Sequence, residues 1–199
     1  MSSPDAYAQH TGNPGNADNP QSARNADPAA PGSGAPSPDR LPVPRVLAHL
    51  AGAWHVERTV RDLADGSEGH FAGTTLFTPL PAPDLGGLLH QESGTFTWHG
   101  TARAAERTLR FLPGGPGADD ATARVEFADG RFFHDLDLRT GHWTTDHLCV
   151  RDLYRGEFEV FDADHWRTRW RVGGPAKDLL LITEYRRDRA AGSGERRTG

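Results

Sequence analysis

The chain has 199 residues, a net charge of −5 and one cysteine, which suits a single domain of ordinary size. A lone cysteine excludes an internal disulfide framework and predicts a reducing, cytoplasmic location. Mild acidity argues against nucleic acid as a partner, because phosphate recognition needs a basic surface. Since no run approaches the ~18 apolar residues of a spanning helix, the sequence also predicts no membrane partner.

The two ends of the chain differ in composition from its middle. Residues 1–44 are dominated by Pro, Gly, Ala, Ser and Asn, and they predict a disordered tail because they offer little apolar surface to bury. They contain no apolar segment behind a basic start, so we expect no secretory signal. Residues 188–199 are polar and predict a flexible C-terminal tail, which leaves 45–187 as the folded domain.

The middle of the chain predicts one short helix followed by strands. The stretch "PVPRVLAHLAG", residues 42–52, ends in glycine and suits a helix of about two turns. Alternating apolar residues and frequent turn signals then predict strands near 54–61, 70–78, 87–98, 101–112, 122–128, 131–138, 143–154, 157–162, 165–173 and 178–187. Short connections indicate an antiparallel meander, and such a meander loses its exposed edges by closing. We therefore predict an all-β fold, an antiparallel up-and-down β-barrel of eight to ten strands, with a β-sandwich as the alternative.

The first predicted strand carries a motif with a known counterpart. Residues 50–60, "LAGAWHVERTV", lead a short helix into Gly-x-Trp and resemble the opening of lipocalin-like, calycin-type barrels. In those families the tryptophan closes the barrel floor under an arginine near the end of the last strand. The resemblance implies that Trp54 lies under Arg186 or Arg187, and Arg187 is favoured because it shares the inward parity of Tyr185.

A longer resemblance covers most of residues 46–187. It runs through the segments "DGRFFHDLDL", "HLCVRDLY" and "GPAKDLLLITEYRR", at 129–138, 147–154 and 174–187. These are similar to an uncharacterised bacterial family that is known only as a domain of unknown function. The resemblance implies the barrel fold and brings no reaction with it.

The stretch "RTGH" at 139–142 predicts how two strands pair. A two-residue turn at Thr140 and Gly141 would set His134 directly opposite His147, with Cβ atoms about 5 Å apart. Cys149 would share their face, because side chains alternate along a strand. The same face carries several apolar residues and is therefore predicted to point inward, namely Phe132, Leu136, Leu138 and Trp143.

The same alternation predicts the rest of the inner wall. A turn at Arg155 and Gly156 would place Arg151 inside, together with Phe158 and Val160. Continuing the register gives an interior lined by aromatics with ionisable groups among them, which is expensive unless those groups pair or meet a ligand. The predicted ligand-binding residues are Arg58, Glu92, His134, His147, Cys149, Arg151, Trp166, Trp170 and Tyr185.

Three functions are compatible with this interior. The first is a small-molecule-binding barrel without a cofactor, whose ligand is apolar or amphipathic with a polar or anionic head near Arg58. The second is a cofactor-free isomerase, cyclase or hydrolase in which His134 or His147 acts as general base and Tyr185 stabilises an oxyanion. The third is a haem- or metal-binding barrel that uses the same histidines, with Cys149 as a further zinc-type ligand.

A purely structural interpretation stands beside these functions. The histidines would then hydrogen-bond to Glu92, Tyr185 or buried water, and Cys149 would be an inert core residue. The sequence indicates neither an oligomeric state nor a ligand identity.

Overall fold

The computed structural model describes residues 40–81 and 86–189, so most of both predicted tails lies outside the described residues. One short helix, α1, precedes ten antiparallel strands, and this confirms the all-β class. The elements are α1 Val46–Leu50, β1 Gly52–Asp62, β2 Glu68–Pro79, β3 Leu88–Trp98, β4 Thr101–Pro113, β5 Thr122–Phe127, β6 Phe132–Asp137, β7 His142–Cys149, β8 Asp152–Asp162, β9 His165–Gly174 and β10 Lys177–Arg187.

The ten strands form one sheet that curls into a nearly closed barrel. Its order is β6-β5-β4-β3-β2-β1-β10-β9-β8-β7. Strands that follow each other in the chain are therefore neighbours in the sheet, except for β6 and β7, and the first strand pairs with the last. The two edge strands, β6 and β7, approach each other, yet no backbone ladder joins them among the described strands. We call this junction the seam.

The predicted pairing of His134 with His147 is wrong, because the seam has no ladder. The N-terminal segment takes the place that the pairing would need: the backbone N–H of Val43 donates to the carbonyl of Leu138 at 2.9 Å. Gly141, at a φ of 74°, turns the chain away toward β8, where its carbonyl accepts a hydrogen bond from Val160 at 2.8 Å.

Side chains bridge the seam where backbone does not. The indole Nε1 of Trp143 donates to the carbonyl of Asp135 at 2.8 Å. His147 lies close to the same strand, since its ring centroid is 5.1 Å from that of Phe133. Edge strands otherwise present unpaired backbone groups, so the hydrogen bond from Trp143 satisfies one backbone carbonyl on the edge of β6.

One end of the barrel is closed in the way the lipocalin-like resemblance implies. Trp54 is fully buried, and its Nε1 donates to the carbonyl of Leu50 at 2.8 Å. The guanidinium of Arg187 lies 4.0 Å from the centre of the Trp54 ring and donates to the carbonyls of Ala51 and His49. Val46 of α1 is also fully buried, so helix, tryptophan and arginine together form the floor.

The turn between β7 and β8 differs from the prediction. It lies at Val150 and Arg151, and Cys149 pairs with Asp152, whereas Gly156 lies within β8 opposite Trp170. A Cβ at Gly156 would stand 2.6 Å from the Trp170 ring, so this glycine makes room for an indole and does not form a turn. Arg151 is consequently exposed, and its predicted place on the inner wall is wrong.

The first residue of β6 that points inward is also one position later than predicted. The ladder between β5 and β6 changes register between Val125 and Glu126, where a β-bulge lets Phe133 and His134 both be buried. Phe132, which strict alternation placed inside, is 40% exposed.

Candidate functional site

Most of the predicted ligand-binding residues do line the interior. Cys149 and His147 are partly buried near the end opposite the floor. The others, Arg151 excepted, are buried, and they are Arg58, Glu92, His134, Trp166, Trp170 and Tyr185. That they bind a ligand stays a prediction.

The centre of the interior polar groups is a bidentate ion pair. Arg58 on β1 donates from Nη1 and Nη2 to the two carboxylate oxygens of Glu92 on β3, at 2.9 and 2.8 Å. Its Nε donates to the hydroxyl of Thr183 on β10 at 2.8 Å. Both charged side chains are almost fully enclosed, so the pair is of the kind that needs good geometry to offset its desolvation.

A second guanidinium joins this pair, and the sequence analysis missed it. Arg107 on β4 donates from Nη2 to Glu92 at 3.3 Å, and its side chain keeps 20% of its exposure. The signal was present in the alternation of β4, because Leu109 and Phe111 are buried and Arg107 shares their parity. We call Arg58, Glu92 and Arg107 the charged cluster.

Two guanidiniums share one carboxylate within the charged cluster. Burial alone would raise the pKa of Glu92, but Arg107 and Arg58 together lower it to about 2, so the carboxylate is ionised. Burial lowers the pKa of Arg58, but Glu92 outweighs that effect and the net direction is upward. His90 adds no charge at neutral pH, because burial and the field of Arg107 lower its pKa to about 3.

Two nitrogens on buried side chains of the interior have no hydrogen-bond partner among the described residues. One is Nδ1 of His90, whose ring lies 4.8 Å from Phe77 between centroids. The other is Nε1 of Trp166, whose indole stacks on Tyr185 at 3.7 Å and 3°. Buried polar groups are nearly always satisfied, so both are candidates to meet a ligand or water.

His134 and His147 meet through an aromatic ring instead of facing each other. The ring centroid of Phe133 lies 4.7 Å from that of His134 and 5.1 Å from that of His147. Phe133 also stacks on Trp170 at 5.3 Å. Burial lowers the pKa of His134 to about 4, so its imidazole is neutral at physiological pH.

The end opposite the floor is lined by aromatic and apolar side chains that are only partly buried. They pack against the core from the far ends of four strands, and they are Phe96, Trp98, Phe127, Tyr154 and Leu179. Together with His147 they form what we call the mouth. The floor residues Val46, Leu50 and Trp54 are at most 1% exposed, so the barrel is closed at one end and accessible at the other.

Two features are absent from the described ranges. Across residues 40–81 and 86–189, no three His, Cys, Asp or Glu side chains converge in a way that could hold a metal ion. Over the same ranges no helix has the length and apolarity needed to cross a bilayer.

Fold and interior together define a nearly closed, ten-stranded antiparallel β-barrel with a tryptophan floor, an aromatic mouth and a buried charged cluster. The chain belongs to DUF6314, a family of unknown function, whose model matches residues 50–187. No curated protein matches this sequence.

Several solved structures are similar to this chain at low sequence identity. An S-type phycobiliprotein lyase, CPES, from Guillardia theta is 10% identical, with a TM-score of 0.60 over 76% of this chain and 95% of that chain. A protein of unknown function from the DUF3598 family of Nostoc punctiforme PCC 73102 is 14% identical, with a TM-score of 0.48, and the match covers 74% of this chain and 51% of that one. A de novo designed fluorescence-activating β-barrel is 16% identical, with a TM-score of 0.38 over 72% of this chain and 97% of that one. At 10% identity the likeness to CPES shows the fold alone.

Proposed function

We propose that this protein binds a small amphipathic molecule inside the barrel, with the apolar body at the mouth and a polar or anionic head toward the charged cluster. The observation that carries the proposal is the difference between the two ends. Fully buried side chains close the floor, whereas Phe96, Trp98 and Tyr154 at the mouth remain partly exposed. A pocket that is mostly apolar, with a few convergent polar groups, is the usual form of a small-molecule site.

The unpartnered nitrogens of His90 and Trp166 add support to this proposal. Leaving a buried donor or acceptor unsatisfied costs about 1–3 kcal/mol, so a ligand or water that meets such a group would stabilise the fold. The CPES similarity is compatible with a barrel that serves a small molecule, but it enters the argument only through the shared architecture.

The enzymatic alternative has less support from the geometry. A general base works best when its pKa lies near the operating pH, whereas burial lowers that of His134 to about 4. Tyr185 is stacked face to face on Trp166, which holds its ring in the wall of the barrel. His147 is the better placed of the two histidines, since it lies partly exposed at the mouth.

Native mass spectrometry of the purified full-length chain tests the proposal, together with titration of Nile red, a neutral probe of apolar sites. We expect a co-purified small molecule or a saturable, one-site increase in Nile red emission. The variant Trp98→Ala should weaken Nile red binding at least several-fold, because it removes an aromatic wall of the mouth. Leu76→Ala, on the exposed face of β2, is the matched control. The proposal would be contradicted if the purified chain carried no bound molecule and also showed no saturable Nile red binding.

We also propose a cytoplasmic location. Its support is the single cysteine, Cys149, which suits a reducing compartment.

A further inference from the structure

We propose that the indole N–H of Trp166 donates a hydrogen bond to a neutral carbonyl oxygen on the head of the ligand. This inference rests on the proposed function and names the chemistry of the head at the same site. It starts from one atom, Nε1 of Trp166, which is buried and has no hydrogen-bond partner among the described residues. A buried indole N–H usually finds an acceptor, so a group other than those residues is expected to supply it.

Two other tryptophans show how this fold normally satisfies an indole. Nε1 of Trp54 donates to the carbonyl of Leu50, and Nε1 of Trp143 donates to the carbonyl of Asp135, both at 2.8 Å. Those carbonyls lie at the end of the helix and at the edge of the sheet. Trp166 instead lies within β9, with ladders to β8 and β10 on its two sides, where the backbone is engaged in strand pairing.

Aromatic neighbours hold the Trp166 indole in place. Its ring stacks on Tyr185 with centroids 3.7 Å apart and planes 3° from parallel, and it meets Trp54 edge to face at 6.0 Å. The residue is only 4% exposed. Because the donor is fixed before any ligand arrives, binding to it costs little conformational entropy in the wall of the barrel.

The Trp166 indole borders the charged cluster through the ring on which it stacks. Tyr185 is one of the groups that, after Glu92, raise the pKa of Arg58 against the effect of burial. On the wall formed by β3, His90 supplies the second unpartnered nitrogen, and after burial the charges of the cluster are what act on its pKa. Both unpartnered nitrogens therefore belong to the part of the interior that surrounds the cluster.

The chemistry of an indole selects the head group. An indole N–H is a donor only, so the group it meets must be an acceptor, whereas the Nδ1 of His90 can be donor or acceptor according to its tautomer. The rings of Trp54 and Tyr185 make the surroundings of this donor largely apolar. An ionised group loses far more hydration than a neutral one on entering such a place. A ketone, ester or amide carbonyl is therefore the head that fits.

NMR of the indole N–H groups tests this contact in the full-length chain, labelled with ¹⁵N at tryptophan. The Trp166 signal is assigned by its nuclear Overhauser effects to the Tyr185 ring. Three probes with one common body are titrated: 2-acetylnaphthalene, 2-ethylnaphthalene and 2-naphthoate. We expect the ketone to move the Trp166 indole proton downfield and the hydrocarbon to leave it without such a shift. The naphthoate should bind more weakly than the ketone.

A matched pair of variants measures what the donor contributes. In Trp166→Phe, which keeps an aromatic ring and loses the N–H, the affinity ratio of ketone to hydrocarbon should fall about two- to tenfold. Trp143→Phe removes an indole N–H that already donates to Asp135, so it should keep the wild-type ratio.

The outcomes separate this inference from the proposed function. An equal response of the Trp166 signal to ketone and hydrocarbon, or a contact with a long-lived water that persists after the ketone binds, would overturn the role of Trp166. Tighter binding of the naphthoate would overturn the neutral head. If neither neutral naphthalene binds but Nile red does, this inference fails and small-molecule binding stands; if Nile red also fails and the chain carries no bound molecule, both fail. The wild-type spectra decide the question even if Trp166→Phe does not fold.

Discussion

The contact of Arg187 with Trp54 shows how one residue can close a barrel. The guanidinium lies 4.0 Å from the indole centre and also donates to two carbonyls at the end of α1. Those carbonyls belong to the last turn of a helix, where they lack partners within the helix itself. Arg187 therefore couples helix, first strand and last strand through a single side chain.

Arg187→Gln should lower the free energy of unfolding by about 1–3 kcal/mol, since it removes a cation–π contact and two charge-assisted hydrogen bonds. Arg186→Gln, one residue earlier and exposed, should change it by less than about 0.5 kcal/mol and serves as the control. Urea denaturation followed by tryptophan fluorescence measures both. If the two variants lose equal stability, the floor does not depend on Arg187.

The buried histidines make stability depend on pH above the range in which carboxylates titrate. Burial lowers the pKa of His90 to about 3 and that of His134 to about 4, whereas both would titrate near 6.5 in the unfolded chain. The unfolded state therefore takes up protons first as the pH falls. Their contribution is fully present above pH 6.5 and is lost between that value and the folded-state pKa.

We expect the free energy of unfolding to fall by roughly 1–2 kcal/mol per buried histidine between pH 6.5 and 5. His134→Gln should reduce this slope by its own share, and His70→Gln, on the exposed face of β2, should not. Glu92 acts in a lower window, because Arg107 and Arg58 lower its pKa to about 2, so its contribution is lost below about pH 4.5. Urea denaturation at closely spaced pH values measures the slope, and a flat profile from pH 7 to 5 would contradict this account.

The hairpin of β7 and β8 shows why the pairing of strands is harder to predict than the strands themselves. Gly156 follows an arginine, as a turn glycine often does, but it lies within β8 because the Trp170 ring occupies the space where a side chain would be. Nothing local in the sequence distinguishes a glycine that turns the chain from one that accommodates a neighbour's ring.

Gly156→Ala should destabilise the protein by about 1–3 kcal/mol, because its Cβ would stand 2.6 Å from the Trp170 ring and the packing around that ring would have to shift. Gly173→Ala on β9 is the matched control, since an added Cβ there meets nothing within 4 Å. It should be neutral or slightly stabilising, because alanine lowers the entropy of the unfolded chain. Thermal melting of both variants measures the difference. If Gly156→Ala were as stable as the wild type, the Trp170 ring would not require a glycine at position 156.

Local alternation was sufficient to predict ten strands and most of their inward faces. It correctly placed Arg58, Trp166 and Tyr185 inside, because side-chain direction depends only on position along a strand. It failed for Arg151 and Phe132, because a turn and a β-bulge change which residues point inward. It also failed at the seam, because Val43 donates to the carbonyl of Leu138 where a hairpin between β6 and β7 was predicted. Such features depend on contacts between distant parts of the chain, as does the approach of Arg107 to Glu92.

In the whole molecule, the two ends of the barrel differ in packing: the floor is tightly packed and the mouth is partly exposed. The floor end holds the helix, the N-terminal segment and the fully buried side chains of Val46, Leu50 and Trp54. The mouth end has partly exposed aromatics, the short ladder between β4 and β5, and a seam bridged by side chains. A ligand could be admitted at the mouth without disturbing the contacts that hold the floor.

The N-terminal segment is the last contributor to the floor. The composition of residues 40–44 predicts a tail, yet the backbone N–H of Leu41 donates to the carbonyl of Val160 at 2.8 Å, and that of the buried Val43 donates to the carbonyl of Leu138 at 2.9 Å.

Burying a valine is worth about 1.5–3 kcal/mol. Removing residues 1–44 should therefore lower the free energy of unfolding by about 2–4 kcal/mol. Removing only 1–39 should leave it unchanged, because that composition offers little apolar surface to pack. Urea denaturation of the two truncated chains beside the full chain measures the difference, and equal stability of both truncations would show that residues 40–44 do not hold the floor.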